Sequence, residues 1–324
     1  MRLIDSHFHI GFNGYDSPED IIRYMDERGI SKCWLLSWEE QTPQVPERYQ
    51  CLSVDEIWRA YQKYPDRFVP FYAPDPTRQD ALAVLNAWLE KGCRGFGELK
   101  VSIGWQDDRL RRILEVLNQR KAILIFHMED AQAIKLPATS NWFHRFVTNY
   151  YRPTRIRGIP YLLLNWAAFC VPGLGKKIKK ATRDVLFDGY LNSFDELEQV
   201  VKQYANIVFV GHGPLFWKGI SSDYRARSET NPPGPVTEGG PSLRLLRDYP
   251  NMMADLSGPS GFHAVTRDSE FTRQLLEDCQ DKLMYGTDNF DFGLKAVLDS
   301  VQLDDAVREK IYSLNAENLL KRVQ

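Results

Sequence analysis

Short apolar runs alternate with longer amphipathic stretches along most of the chain. The runs at 3–10, 32–38, 68–73, 95–100, 122–128, 207–212, 252–256 and 283–287 read as strands. Between them, 18–28, 54–64, 78–91, 107–119, 194–204, 242–249, 270–279 and 304–314 carry apolar residues at helical spacing. Start signals support several of these: Ser17 stands before Pro18, and Ser53 precedes Glu56 by three residues as in a capping box. Eight strand–helix units without a break predict a (β/α)8 TIM barrel spanning 1–324 as one domain, in preference to a doubly wound sheet.

Two connections are longer than the pattern requires. The stretch 129–192 follows the fifth strand, and 213–241 follows the sixth, ending in Pro-Pro-Gly-Pro and Gly-Gly-Pro. Both leave the C-terminal ends of strands, where a barrel builds its active site, so 129–192 is expected to act as a lid, with an oligomer contact as the plainer alternative.

Polar residues collect at the same strand ends. The first strand finishes in Asp5-Ser6-His7-Phe8-His9, and alternation places Leu3, Asp5, His7 and His9 on one face, with Ile4, Phe8 and Ile10 on the other. Two imidazoles side by side suit zinc or a similar divalent metal, and Asp5 is placed to orient one ring. Further strands end in Gly97-Glu98-Leu99-Lys100, in His127, in His212-Gly213 and in Gly286-Thr287-Asp288. Each residue alone has a bland reading: a hydrogen-bonded histidine, a helix cap at Asp288, a structural Glu98–Lys100 ion pair. Four of the six histidines at strand ends is a pattern that scattered core or surface residues rarely produce.

Composition removes several classes of function. Acidic residues (43) and basic residues (41) nearly cancel, which gives no nucleic-acid surface. The five cysteines, Cys33, Cys51, Cys93, Cys170 and Cys279, form neither a disulfide framework nor a cysteine metal motif, and a reducing cytoplasm is expected. No signal region is read at the N-terminus, and the apolar segment 159–174 is too short and interrupted to cross a bilayer. Its flanks, with Arg152, Arg155, Arg157, Lys176, Lys177, Lys179 and Lys180, leave an interfacial or lid helix open.

The strand-end set, Asp5-Ser6-His7-Phe8-His9, His127, His212 and Gly286-Thr287-Asp288, resembles the amidohydrolase superfamily of metal-dependent barrels over essentially the whole chain. Within it, His212-Gly213, Ala254-Asp255, Gly286-Thr287-Asp288 and Asn315-Ala316-Glu317-Asn318-Leu319-Leu320 look like the branch containing aminocarboxymuconate-semialdehyde decarboxylase and predicted metal-dependent hydrolases. Gly97-Glu98 looks instead like the superfamily's metal-dependent deoxyribonucleases, whose glutamate there binds metal.

The resemblance implies that His7, His9, His127 and Asp288 hold a divalent metal, zinc first, with Asp288 also accepting a proton from water. His212 is either a ligand of a second ion or an acid/base, the latter favoured, and Glu98 joins the metal set if two ions are bound. One ion is favoured and two are allowed. Arg225, Arg227, Trp217, Lys100 and His263 are the weaker substrate-binding candidates; Trp38 and Trp105 offer further flat faces, and His144 reads as a surface residue. The leading expectation is hydrolysis of an amide, ester or lactone of a small molecule. A metal-dependent decarboxylase of a carboxylated ring compound is the alternative, and a non-catalytic ligand-binding barrel the third. Homo-oligomer formation is left open.

Overall fold

The computed structural model describes residues 1–39, 52–137 and 182–322. The chain divides into two compact units: Met1–Glu40, Cys51–Asp130 and Gly189–Gln324 make the first, Gln41–Gln50 and Ala131–Asp188 the second. In the second, strands β6 (Gln132–Pro137) and β7 (Thr182–Phe187) pair antiparallel. The lid expectation, with 159–174 and His144, lies outside the described residues.

The first unit contains eight parallel strands: β1 (Leu3–Phe8), β2 (Ile30–Leu35), β3 (Phe68–Pro70), β4 (Gly95–Leu99), β5 (Ile123–His127), β8 (Val208–His212), β9 (Met252–Asp255) and β10 (Leu283–Met284). They pair in chain order as a three-stranded sheet, β1-β2-β3, and a five-stranded one, β4-β5-β8-β9-β10. Backbone hydrogen bonds join the two sheets at both edges. Arg94 N–H donates to the Pro70 carbonyl at 2.9 Å and Tyr72 N–H to that of Gly95 at 3.2 Å; on the other side Ser6 N–H donates to Tyr285 O at 3.0 Å. The result is the (β/α)8 barrel.

Helices α1 (Pro18–Arg28), α2 (Val54–Lys63), α3 (Ala81–Lys91), α4 (Asp108–Gln119) and α5 (Phe194–Gln203) cover the outside, followed by α6 (Pro214–Lys218), α7 (Pro241–Asp248), α8 (Gly258–Ala264), α9 (Ser269–Asp278), α10 (Leu294–Ser300), α11 (Asp305–Glu309) and α12 (Asn315–Arg322). Ser17 and Asp20 form a reciprocal capping box at α1. Ser53 caps α2 differently from the expected box: its hydroxyl accepts from Asp55 N–H, and Glu56 reaches toward Arg59 instead. Between α11 and α12 the helix widens into a π-turn over Lys310–Leu314, and the Ile311 carbonyl accepts from Tyr285 N–H at 2.9 Å. That bond ties the C-terminal helices to the end of β10.

Two apolar layers sort the strand residues. Ile4, Trp34, Leu36, Val69, Phe71, Ile123, Ile125, Val208, Val210, Met253 and Met284 fill the barrel, closed by Ala316 and Leu319 of α12. Their neighbours Leu3, Phe8, Leu35, Phe96, Leu99, Leu124, Phe126 and Phe209 pack with the helices. β1 therefore departs from the alternation expected of it: Leu3 belongs to the outer layer and Ile4 to the inner one, the reverse of the phase needed to bring His7 and His9 inside. The pairing of β1 with β2 shifts register between Asp5 and Phe8, and the shift restores the inward phase at His7. β4 shows the same device, with a register shift between Phe96 and Leu99 at Glu98.

Candidate metal centre

The strand ends bring five polar side chains into one buried cluster. His7 and His9 leave the end of β1, Glu98 lies in β4, His212 ends β8, and Asp288 follows β10 with φ of 53°, in the left-handed region. Asp288 N–H donates to the His7 carbonyl at 2.8 Å, which fixes the turn beside β1. Asn289 continues the clamp: its Oδ1 accepts from His9 N–H at 2.7 Å and its Nδ2 donates to the His9 carbonyl at 2.7 Å. Ligand atoms of His7, His9 and Asp288 lie within 4.8 Å of one another, and so do those of His7, Glu98 and His212.

Hydrogen bonding at the far side of each ring sets its tautomer. The Leu36 carbonyl, 2.8 Å from His9 Nδ1, can only accept, so Nδ1 carries the hydrogen and Nε2 presents a lone pair. His7 Nδ1 faces Asp255 Oδ2 at 3.0 Å, which directs its Nε2 in the same way. The two Nε2 atoms stand 3.2 Å apart, with Asp288 Oδ1 at 3.3 Å from one and 3.8 Å from the other, and Glu98 Oε2 at 3.6 and 3.9 Å. Converging lone pairs and carboxylates repel unless a cation lies among them. The donor set of neutral imidazoles and carboxylate oxygens fits zinc or another first-row divalent ion.

Electrostatics agree with that fit. Burial pushes the Asp255 carboxyl upward, but His212 and His7 beside it outweigh burial and hold it below its ordinary range. Glu98 is likewise pushed up by burial and pulled well down by the Lys100 ammonium and the His127 ring. For Asp288 burial is opposed by the neighbouring His9, His7 and His212 rings, and the net shift is downward. Burial lowers the His7 ring, helped by the nearby His212, whereas at His212 burial is outweighed by Asp255, through its charge and hydrogen bond, together with Glu98 and Asp288, and the ring is raised to about 9. Three carboxylates, those of Asp255, Glu98 and Asp288, thus gather round the imidazole lone pairs, a setting that suits a cation.

His127 pairs in register with His212 across β5 and β8, and its Nδ1 meets Glu98 Oε1 at 2.8 Å. Its Nε2 is buried without a hydrogen-bond partner among the described residues, 3.4 Å from a Glu129 oxygen. His127 thus touches the cluster through Glu98 and stands outside the two groups of mutually close ligand atoms.

Asp5 does not orient an imidazole. It accepts from the His7 and Thr287 backbone amides, at 3.1 and 3.0 Å, and from the Thr287 hydroxyl, so it fastens β1 to the turn after β10; burial pushes it up to about 7 despite these bonds. The orienting carboxylate is Asp255, which also accepts from His212 Nδ1 at 2.9 Å. Asp255, Asn289 and Ser257, whose hydroxyl lies 2.9 Å from His212 Nδ1, received no role from the sequence. The signal available was the position of Asp255 at the end of a barrel strand, equivalent to that of the histidines.

The substrate-facing candidates are placed less uniformly. Lys100 Nζ lies 4.0 Å from Glu98 Oε2 and 4.5 Å over the Trp38 ring, and Trp38 meets the His9 ring edge to face at 4.6 Å. Trp217 is buried and donates from Nε1 to the Asp255 carbonyl at 3.1 Å, which makes it a brace of the β9 end and not a pocket wall. Trp105, also buried, donates to the Leu191 carbonyl. Arg225 is exposed against Tyr224, Arg227 pairs with Asp223 at 2.8 Å, and His263 Nε2 donates to the Pro232 carbonyl at 2.8 Å. Among the described residues none of these three touches the cluster.

No family model matches the chain, and no curated protein matches it. Solved structures do. An uncharacterised TIM-barrel protein of Bordetella bronchiseptica matches with a TM-score of 0.57 at 13% identity, covering 100% of this chain and 99% of that one. An amidohydrolase of Burkholderia multivorans with bound zinc matches at 0.54 and 10% identity, covering 99% of both chains. A dihydroxybenzoic acid decarboxylase of Polaromonas, with bound manganese and the inhibitor 2-nitroresorcinol, matches at 0.52 and 15% identity, covering 98% of this chain and 96% of that one. The chain therefore shares its TIM-barrel fold with these structures. No helix among the described residues is long and apolar enough to cross a membrane.

Proposed function

We propose that the protein is a metal-dependent hydrolase of the amidohydrolase superfamily, acting on an amide, ester or lactone bond of a small molecule. The observation that carries the reading is the 3.2 Å approach of the His7 and His9 Nε2 lone pairs beside the Asp288 and Glu98 carboxylates. His7, His9 and Asp288 would hold one ion, with Glu98 and His212 available to a second and His127 supporting Glu98. Such an ion polarises a scissile carbonyl and brings the pKa of water near neutrality.

The chain's own groups divide the remaining work. Asp288 has two carboxylate oxygens: Oδ1 faces the His9 ring at 3.3 Å, while Oδ2 lies 3.9 Å from His212 Nε2, and Oδ2 would take a proton from the nucleophile. His212 is held by Asp255 at Nδ1, which leaves Nε2 as the proton-handling atom toward the leaving group. Lys100 at the edge of the cluster supplies a fixed cation for an anionic substrate group.

Lys100 also favours a second reading, decarboxylation, because an ammonium beside the centre can seat a carboxylate. Metal analysis of purified protein, followed by a panel of aryl esters, lactones and aromatic carboxylic acids assayed for both hydrolysis and CO2 release, separates the two. Absence of stoichiometric divalent metal after growth in metal-supplemented medium would reject both.

A further inference from the structure

The opposite end of the barrel carries a second feature that the metal centre does not explain. A cleft of about 360 Å3 opens at the N-terminal ends of β1 to β4, beside α12. Its apolar part comes from buried Phe68, Val69 and Pro70 and half-buried Leu320, with the half-buried Tyr61 ring adding a flat surface. Its charged part is Arg2, Lys32, Arg94 and Lys321, against one carboxylate, Glu317.

The charges are unequally satisfied. Arg2 pairs with Glu317, and Lys32 Nζ donates to the Asp66 carbonyl at 3.0 Å. The Arg94 guanidinium and the Lys321 ammonium make no ion pair or side-chain hydrogen bond among the described residues. Four cations thus surround one carboxylate in a chain whose formal net charge is -2. Like charges gathered round an apolar recess repel one another, and a dianion between them would remove that repulsion. A guanidinium supplies paired donors that match phosphate oxygens, and the volume is on the scale of small-ligand pockets.

We propose that this cleft is a binding site, separate from the metal centre, for a small phosphomonoester with an apolar body: the phosphate between Arg94 and Lys321, the body against Tyr61, Phe68 and Leu320. A monocarboxylate would leave most of the excess positive charge unmatched, and inorganic phosphate would leave the apolar part unused.

Isothermal titration of the full chain, loaded with metal, with phenyl phosphate, inorganic phosphate and phenylacetate tests both halves. Phenyl phosphate is expected to bind one to one and at least ten-fold more tightly than either of the others, and Arg94→Gln with Lys321→Gln is expected to weaken it at least ten-fold while metal content stays unchanged. Both side chains are exposed, so the double variant is expected to fold, which its thermal melt verifies. Binding that survives the double variant lies elsewhere, at the metal centre for instance, and overturns the proposal. Equal affinity for inorganic and phenyl phosphate, or binding of a polyanion such as heparin alone, overturns it as well.

Discussion

Asp255 accepts a hydrogen bond from His7 Nδ1 at 3.0 Å, one buried carboxylate oxygen fixing which nitrogen of a buried imidazole faces the candidate metal site. Its other oxygen does the same for His212 at 2.9 Å. In Asp255→Asn one of these acceptors becomes an NH2 group that must face a ring N–H, so one imidazole turns or changes tautomer. Metal affinity is expected to fall about 10–100-fold, as for other residues that orient a metal-binding histidine. Competition with a chromogenic chelator measures it; unchanged affinity would remove Asp255 from the support of the centre.

Asp288→Asn tests the proton acceptor. The amide fills the same space and keeps an oxygen for the ion, but it accepts no proton at neutral pH. Turnover should fall by a factor of about 10² to 10⁴, the usual range for a general base, while the melting temperature moves by only a few degrees. A variant that retains full activity would exclude Asp288 as the base.

Barrel geometry carries strand ends to one mouth, so the convergence of His7, His9 and Asp288 was legible in the apolar pattern, as was the approach of the more weakly assigned Glu98 and His212. His127, expected among the ligands, lies outside both close groups. The phase of β1 was not legible. Strict alternation groups Leu3 with His7, whereas the register shift after Asp5 places Leu3 outside and His7 inside, and such a shift is set by pairing with β2 and not by local sequence. The same holds for Asp5 and Asp255. Both are strand aspartates, and only the tertiary structure decides that Asp5 braces Thr287 while Asp255 holds two histidines. α6 (Pro214–Lys218) and α8 (Gly258–Ala264) are too short to show helical periodicity, so what they pack against escaped notice. The arginines of the sixth connection were placed by resemblance through a loop, and loops are where such a transfer is weakest.

Gly258 offers a paired test of close approach. Its φ is +69°, and a Cβ there would stand 2.9 Å from Asp288 Oδ2 and 3.5 Å from His212 Cε1. Gly293, with φ of +79° and nothing within 4 Å, carries the backbone strain alone. Each alanine variant should lose about 1–2 kcal/mol through its left-handed backbone. Only Gly258→Ala should also lower metal occupancy, because the added methyl group pushes on Asp288. Equal occupancy in the two variants would show that the contact with Asp288 is slack.

The last prediction concerns the acid limb of stability. Glu198 on α5 accepts from both terminal nitrogens of Arg244 on α7, at 2.7 and 2.6 Å, and from the Tyr249 hydroxyl at 2.6 Å. The Arg244 and Tyr249 hydrogen bonds hold its carboxyl well below the ordinary range. A carboxyl depressed in the folded state contributes stability that is complete above its unfolded pKa, about 4.3, and is lost as pH falls below that value toward the folded one. The group is partly exposed, so solvent screening limits the contribution, and Glu198→Gln should cost about 1–2 kcal/mol at pH 7. The gap to the parent protein should narrow steadily from pH 5 to pH 3. Urea denaturation across that range reads the slope directly, and a gap that stays constant down to pH 3 would show that the α5–α7 contact is held by packing and not by the charge of Glu198.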